Sequence, residues 1–129
     1  VVDGKRIVIV EDSVVRGTTT RSKMRAIRRA GAKEIHLRVS CPPIRHPCFY
    51  GIDFPTSEEL IAHNRSVEQV AAFLEVDSLA YLSLDGMLGC LKNAKQHYCT
   101  ACWSGHYKVP IDHPQSKFSF EREQLRMFP

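Results

Sequence analysis

Two acidic side chains and the polar loop that follows them are the residues of this sequence best suited to bind a ligand. Glu11 and Asp12 directly follow the apolar run Ile7 to Val10, and Gly17 and three threonines come next. Carboxylate oxygens can bind magnesium or accept hydrogen bonds from sugar hydroxyls. A flexible glycine and hydroxyl side chains at a helix start are typical of a phosphate cradle. The segment predicts a site for a phosphorylated sugar.

The elements that must position this segment predict an α/β fold. Ile7 to Val10 is β-branched throughout, which is typical of a strand buried on both faces of a parallel sheet. Ligands collect outside the carboxyl ends of such strands. Thr20 to Ala30 is expected to form a helix that ends at Gly31, with Met24 and Ile27 on its inner face. Its many basic side chains are interpreted as a solvated face.

The rest of the chain predicts short, alternating elements. Glu34 to Ser40 alternates apolar and polar residues, so we expect a strand with one solvated face near the sheet edge. Three prolines make residues 41–53 a loop. The later expected elements are helices opened by capping boxes at Thr56 with Glu59 and at Ser66 with Gln69, a strand from Ser78 to Leu84, a helix capped by Asp85 with Met87, Leu88 and Leu91 facing inward, and a last helix from Phe120 to Phe128.

The five cysteines suggest a metal site. An odd number without an export signal argues against structural disulfides. The Cys-x-x-Cys of Cys99 and Cys102 is compatible with a redox pair, half a zinc site or half an iron–sulfur site, and its polar surroundings favour metal. Spacing alone suggests zinc on Cys41, Cys48, Cys99 and Cys102.

Three stretches resemble the amidophosphoribosyltransferases. Val8 to Thr19, which reads Val-Ile-Val-Glu-Asp-Ser-Val-Val-Arg-Gly-Thr-Thr, is similar to the phosphoribosyl-pyrophosphate (PRPP) motif of type I phosphoribosyltransferases. Pro43 to Asp53 and Tyr98 to Tyr107 are similar to later parts of the same family, in the same order. Glu11 departs from the Asp that the family usually has there. The tail beyond Val109 is not covered.

The resemblance implies the carboxyl-terminal portion of a type I phosphoribosyltransferase, a parallel sheet flanked by helices, with short C-terminal helices added. Residues 1–92 would be the back half of that domain and residues 93–129 a cysteine-bearing segment and tail. Because the chain begins at Val1 and reaches a core strand almost at once, we expect a fragment that lacks an amino-terminal glutaminase domain.

The activity that the resemblance implies is that of a glycosyltransferase. It transfers glutamine-derived ammonia to PRPP and yields 5-phosphoribosylamine, glutamate and pyrophosphate, the first step of purine synthesis. The nucleophile would lie upstream, so the fragment alone is expected to be inactive. The implied PRPP-binding residues are Glu11, Asp12, Ser13, Arg16, Gly17, Thr18, Thr19 and Thr20, with magnesium on Glu11 and Asp12.

A [4Fe–4S] cluster on Cys48, Cys99 and Cys102, with a fourth ligand upstream, is implied in one branch of the family. Cys41 and Cys90 are then expected to be small, buried or half-buried side chains. Further expectations are purine nucleotides as feedback inhibitors, a homo-oligomer at full length and a cytoplasmic location.

Two other functions are compatible with parts of the sequence. A non-catalytic, PRPP-sensing regulator of the same fold would need a basic surface for nucleic acid, but the net charge of +4 is modest and dispersed. A small zinc-stabilised interaction module would make the phosphate loop incidental. We therefore expect neither nucleic-acid binding nor, without a long apolar run, membrane insertion.

Overall fold

The computed structural model describes residues 1–52, 56–92 and 97–110. Among them a parallel sheet has the strand order β1-β2-β3, with helices between the strands, so the predicted α/β class is confirmed. The expected helix from Phe120 to Phe128 lies outside the described residues. The described elements are β1 (Arg6–Glu11), α1 (Thr18–Arg29), β2 (Glu34–Val39), a 3-10 turn (Ser57–Glu59), α2 (Val67–Leu74), β3 (Ser78–Tyr81), α3 (Leu84–Gly89) and α4 (Ala101–Ser104).

The strand β2 is central among the described strands, which corrects its expected position near the edge. It pairs with β1 on one side and β3 on the other. The predicted alternation of buried and exposed residues is confirmed, because Ile35, Leu37 and Val39 are buried while Arg38 is exposed. A central strand therefore needs no continuous apolar run when only one face of its sheet is covered.

The strand β1 is covered on one face only within the described residues, so the expected burial of both faces is not found there. Ile7 and Ile9 pack against the hydrophobic core. Val8 and Val10 point to the other face and are 64% and 71% exposed. The β-branched run thus selects the strand, while the neighbouring helices decide which of its faces is buried.

The core lies between the sheet and the helices α1 and α2. Met24 of α1 is 1% exposed and packs with Ile35, as its helical position predicts. Val70 and Leu74 of α2 pack with Leu37 in the adjoining cluster. The helix α1 begins two residues before the predicted Thr20, because Gly17 already forms its N-cap.

The predicted helix caps have mixed outcomes. Ser66 and Gln69 form the predicted capping box, with both reciprocal hydrogen bonds present. The box expected at Thr56 is wrong, because Thr56 makes no side-chain cap bond and only a three-residue 3-10 turn follows. Ser83, rather than Asp85, caps α3 and accepts a hydrogen bond from Gly86 N at 3.0 Å.

The segment around α3 is also shorter and more open than expected. The strand β3 ends at Tyr81 instead of Leu84. Met87 and Leu88 are half-buried. Leu91 is 43% exposed, so its expected inward position is wrong. The reason is that α3 ends at Gly89, before a further turn could bring Leu91 onto the inner face.

Candidate functional site

The acid pair lies at the carboxyl end of β1, at the edge where parallel α/β sheets place their ligands. Glu11 is the last residue of β1, and its carbonyl oxygen accepts hydrogen bonds from the Ser40 backbone N at 2.9 Å and Oγ at 3.2 Å. Asp12 accepts a hydrogen bond from Ser13 N at 2.6 Å, which turns the chain out of the strand. Ser40 is not among the predicted site residues, although its place directly after β2 is a signal that the sequence offers.

The two carboxylates have different surroundings. The Glu11 carboxylate forms an ion pair with Lys23 of α1, with Oε1 and Nζ 3.1 Å apart, and only 21% of the Glu11 side chain is exposed. Asp12 is exposed. Of the two acids, Asp12 is therefore the more accessible to a ligand. The interpretation of the basic residues of α1 as a solvated face does not predict this contact between Lys23 and Glu11.

Gly17 fixes the start of α1. It has a φ of 77° and is buried, and a Cβ built on it would lie 2.5 Å from Ile61 Cδ1. A glycine cap has no side chain of its own, so the N–H groups of the first helical turn depend on another acceptor. Such N–H groups favour an anion, through their direction and through the helix dipole.

The threonines after Gly17 differ in exposure. Thr18 and Thr19 are exposed, whereas Thr20 is only 8% exposed. The hydroxyls of Thr18 and Thr19 can therefore contact a ligand from solvent, whereas Thr20 packs inward.

Arg16 forms an ion pair with an acidic side chain of the described residues. Its Nη2 lies 3.3 Å from Glu59 Oε2.

The loop between β1 and α1 packs against the segment that precedes α2. Val14 is 2% exposed and belongs to the hydrophobic core. Ile61 N donates a hydrogen bond to Val15 O at 2.9 Å. The loop therefore rests on a packed base that supports its shape.

The predicted thiol ligands lie on two segments that contact each other. Arg45 N and His46 N both donate hydrogen bonds to Cys102 O at 3.0 Å. The Cys48 sulfur accepts a hydrogen bond from Tyr50 N at 3.4 Å. Burial, together with the nearby Cys48 and Cys99 thiols, raises the pKa of the Cys102 thiol to about 11. The structure thus brings the three cysteines into one neighbourhood.

The cysteines do not form a finished metal-binding geometry. No group of three or more His, Cys, Asp or Glu that could hold a metal ion is found among the described residues. Cys48 and Cys102 are half-buried, and Cys99 is exposed. Three free thiols on two joined segments are nonetheless a soft donor set of the kind that iron–sulfur clusters use.

The other two cysteines differ from each other. Cys41 is half-buried and packs against the core, as expected. Burial, followed by the Asp12 carboxylate, raises the pKa of its thiol. Cys90 is exposed, so its expected burial is wrong. It follows α3 directly, where the chain leaves the core.

Within the described residues, no helix has the length and apolar character needed to cross a membrane.

Comparisons with known proteins give one consistent family. The chain is 53% identical over 111 residues to an amidophosphoribosyltransferase of Synechocystis, with 86% of this chain and 22% of the relative covered. It is 47% identical over 124 residues to that of Methanothermobacter thermautotrophicus, covering 96% of this chain and 26% of the relative. A soybean relative named as chloroplastic is 49% identical over 117 residues, with 91% and 21% covered. No protein-family model matches.

A solved structure gives the same result. The glutamine PRPP amidotransferase from B. subtilis, complexed with ADP and GMP, superimposes with a TM-score of 0.79 at 45% identity. The match covers 90% of this chain and 26% of that one. The fold is that of a phosphoribosyltransferase domain. The chain belongs to the amidophosphoribosyltransferase family, and it spans about a quarter of the length of the relatives it matches.

Proposed function

We propose that this chain is the ribose- and 5′-phosphate-binding part of an amidophosphoribosyltransferase. The whole enzyme would transfer ammonia from glutamine to PRPP and yield 5-phosphoribosylamine, glutamate and pyrophosphate. The observation that carries this proposal is the Gly17 cap of α1, which follows an acid pair at the end of a parallel strand. The PRPP substrate offers the matching groups, a sugar diol and a 5′-phosphate.

The contribution of the chain to the reaction would be positioning and charge compensation. The N–H groups from Gly17 to Thr20 would bind the 5′-phosphate, and the Thr18 and Thr19 hydroxyls would add hydrogen bonds. Asp12, with Glu11, would bind the ribose hydroxyls. Magnesium held at these acids would offset the negative charge of the pyrophosphate. Holding the sugar at both ends fixes its C1 for attack.

The bond changes follow from that placement. The nitrogen lone pair of ammonia forms the C1–N bond while the C1–O bond breaks. Pyrophosphate leaves with the bonding electrons, and the new ammonium group loses a proton to give the amine. The chain's own side chains hold the sugar during this exchange, and none of them is proposed to form a covalent bond with it.

The proposal extends to the cysteines. Cys48, Cys99 and Cys102 would hold a [4Fe–4S] cluster with a fourth ligand from outside these residues. The support is the pair of hydrogen bonds to Cys102 O that joins the two cysteine-bearing segments. A cluster at this point would crosslink the loop before α2 to α4.

Partners and location are part of the same proposal. Purine nucleotides are the proposed inhibitors, since the B. subtilis protein was solved with ADP and GMP. Glutamine or free ammonia is the proposed nitrogen donor, and a homo-oligomer is the proposed assembly. The cytoplasm is the proposed location, although the soybean relative is named as chloroplastic.

The proposed sugar site is tested by titrating ribose 5-phosphate, with magnesium present, into the chain and into Asp12→Asn. Loss of a hydrogen bond to a charged group predicts roughly 10- to 150-fold weaker binding. Thermal stability should be unchanged, because Asp12 is exposed. Asp3→Asn is the matched control, since Asp3 precedes β1 at the opposite end of the sheet. Binding by Asp12→Asn within about twofold of wild type would contradict the proposed site.

The proposed cluster is tested by measuring iron, sulfide and zinc in the full-length enzyme purified without oxygen. Iron and sulfide in equal amounts should be found, and Cys48→Ser should remove both. Cys90→Ser is the control, because Cys90 is exposed and lies outside the proposed ligand set. Zinc in place of iron would instead support the zinc-stabilised interaction module.

A further inference from the structure

Tyr107 links the two segments that carry the cysteines. Its Oη donates a hydrogen bond to Pro47 O at 2.7 Å. Its ring centroid lies 5.2 Å from that of Phe49 and 6.0 Å from that of Tyr50. Because these three residues immediately surround Cys48 in sequence, Tyr107 contacts the Cys48 loop on both sides of the thiol.

A second set of contacts holds the same loop to the chain after α4. Tyr50 Oη donates a hydrogen bond to Val109 O at 3.2 Å and accepts one from Val109 N at 3.0 Å. Phe49, Tyr50 and Tyr107 therefore form one aromatic group, called here the aromatic cover. It is fastened by side-chain hydrogen bonds at Pro47 and at Val109.

The thiols differ in exposure. Cys48 and Cys102 are half-buried, while Cys99 and Cys90 are exposed. Burial, and then the neighbouring Cys102 and Cys48 thiols, raise the pKa of Tyr107. The Tyr107 hydroxyl donates to Pro47 O, the carbonyl of the residue that precedes Cys48.

We propose that the aromatic cover controls access to Cys48 and Cys102, and that Tyr107 is the residue that keeps it closed. The cover is mobile in this proposal because its fastenings are a few hydrogen bonds between partly exposed side chains and backbone. The consequence for iron retention rests on the proposed cluster, whereas the effect on free thiols does not. Tyr107 would be a positioning residue for the two covered thiols.

The test measures alkylation of each thiol by iodoacetamide in metal-free, reduced protein. The thiolate sulfur bonds to the methylene carbon, iodide leaves, and the thiol proton goes to solvent. Peptide mass spectrometry then gives a separate rate for each cysteine. Tyr107→Phe removes only the bond to Pro47 O, and it should raise the rates at Cys48 and Cys102 about fivefold, the effect of losing one typical hydrogen bond.

Tyr107→Ala removes the ring as well and should raise the same two rates by at least about tenfold, since an aromatic contact is lost in addition. Tyr98→Ala is the matched control. It removes an aromatic residue next to Cys99 whose side chain is already 49% exposed, and it should leave Cys48 and Cys102 at wild-type rates. Cys90 should react equally in all variants.

Three readings keep the outcomes separate. Cys41 packs against the core, so continued protection of Cys41 shows that a variant is folded. If Tyr107→Ala exposes Cys41, it has unfolded, and Tyr107→Phe decides the question. Wild-type rates at Cys48 and Cys102 in a folded Tyr107→Phe and Tyr107→Ala would overturn the proposed cover. Iron content, measured before chelation, tests the proposed cluster independently of these rates.

Discussion

Replacing Gly17 by alanine is the sharpest test of how the loop is built. The perturbation adds one methyl group at a residue with a φ of 77°. That methyl would lie 2.5 Å from Ile61 Cδ1 and 3.3 Å from both Leu74 Cδ2 and the Phe73 ring. The added group therefore enters the packed base of the loop.

The expected loss of stability has two parts. A left-handed backbone costs a non-glycine residue roughly 1–2 kcal/mol. Forcing an extra methyl into a packed core typically costs a further 1–3 kcal/mol or so. Ile61 is a long side chain and can shift, but it is 2% exposed and has little room. The total of about 2–5 kcal/mol is a large fraction of the typical stability of a domain.

Urea unfolding of wild type, Gly17→Ala and Gly4→Ala separates the two parts. Gly4 has a φ of 67°, close to that of Gly17, but a Cβ there would meet nothing within 4 Å. Gly4→Ala should thus lose only the backbone part, about 1–2 kcal/mol. Equal losses in the two variants would refute the packing argument. The same contacts mean that Gly17→Val should destabilise the fold. Weaker phosphate binding by Gly17→Val would therefore not by itself identify the binding site.

Three further outcomes follow from contacts in the structure. Ser66→Ala should lower the free energy of unfolding by about 1 kcal/mol in urea titrations, since it removes the capping-box acceptor for Gln69 N; an unchanged midpoint would contradict this. Hydrogen bonds from Arg25 and then Arg21 lower the pKa of Glu75 to about 2. The ionised Glu75 carboxylate therefore contributes fully to the free energy of unfolding above its ordinary pKa of 4.5, and this contribution is lost as the pH falls towards 2. Thermal melts should therefore show Glu75→Gln less stable than wild type above pH 4.5, with the difference shrinking towards pH 2. Lys23→Met should free the Glu11 carboxylate and strengthen magnesium binding by up to about fivefold in calorimetry, the worth of an exposed ion pair; weaker binding would show that Lys23 assists the metal or its ligand.

The sequence predicts the individual helices and strands of this fold better than it predicts which of them lie side by side. The helix α1, its buried Met24 and the capping box at Ser66 follow from periodicity and from side chains a few residues apart. The position of β2 at the centre of the described sheet does not, because strand order depends on pairing between distant segments. An alternating strand is compatible with either position when one face of the sheet is open.

The capping errors have a similar origin. Ser83 and Asp85 are both good N-cap residues, and only the backbone path decides between them. Thr56 and Glu59 have the spacing of a capping box, but the chain makes only a 3-10 turn there before Leu60 and Ile61 enter the core. Burial of the following apolar residues determines where that turn ends, and sequence spacing alone does not report it.

The candidate site shows the same division between local and distant information. The acids, the glycine cap and their order are visible in the sequence, because the loop is one continuous segment. The Glu11–Lys23 pair requires knowledge that α1 packs beside the end of β1, and the Tyr107–Pro47 bond joins residues sixty positions apart. Glu11 has one methylene more than the aspartate usual in the family, and its carboxylate reaches Lys23 on α1. Asp12 keeps its carboxylate exposed at the start of the loop. The two adjacent acids of the motif therefore have different surroundings, because Glu11 is paired with Lys23 and Asp12 is exposed. The free energy of ligand binding should depend more on Asp12 than on Glu11.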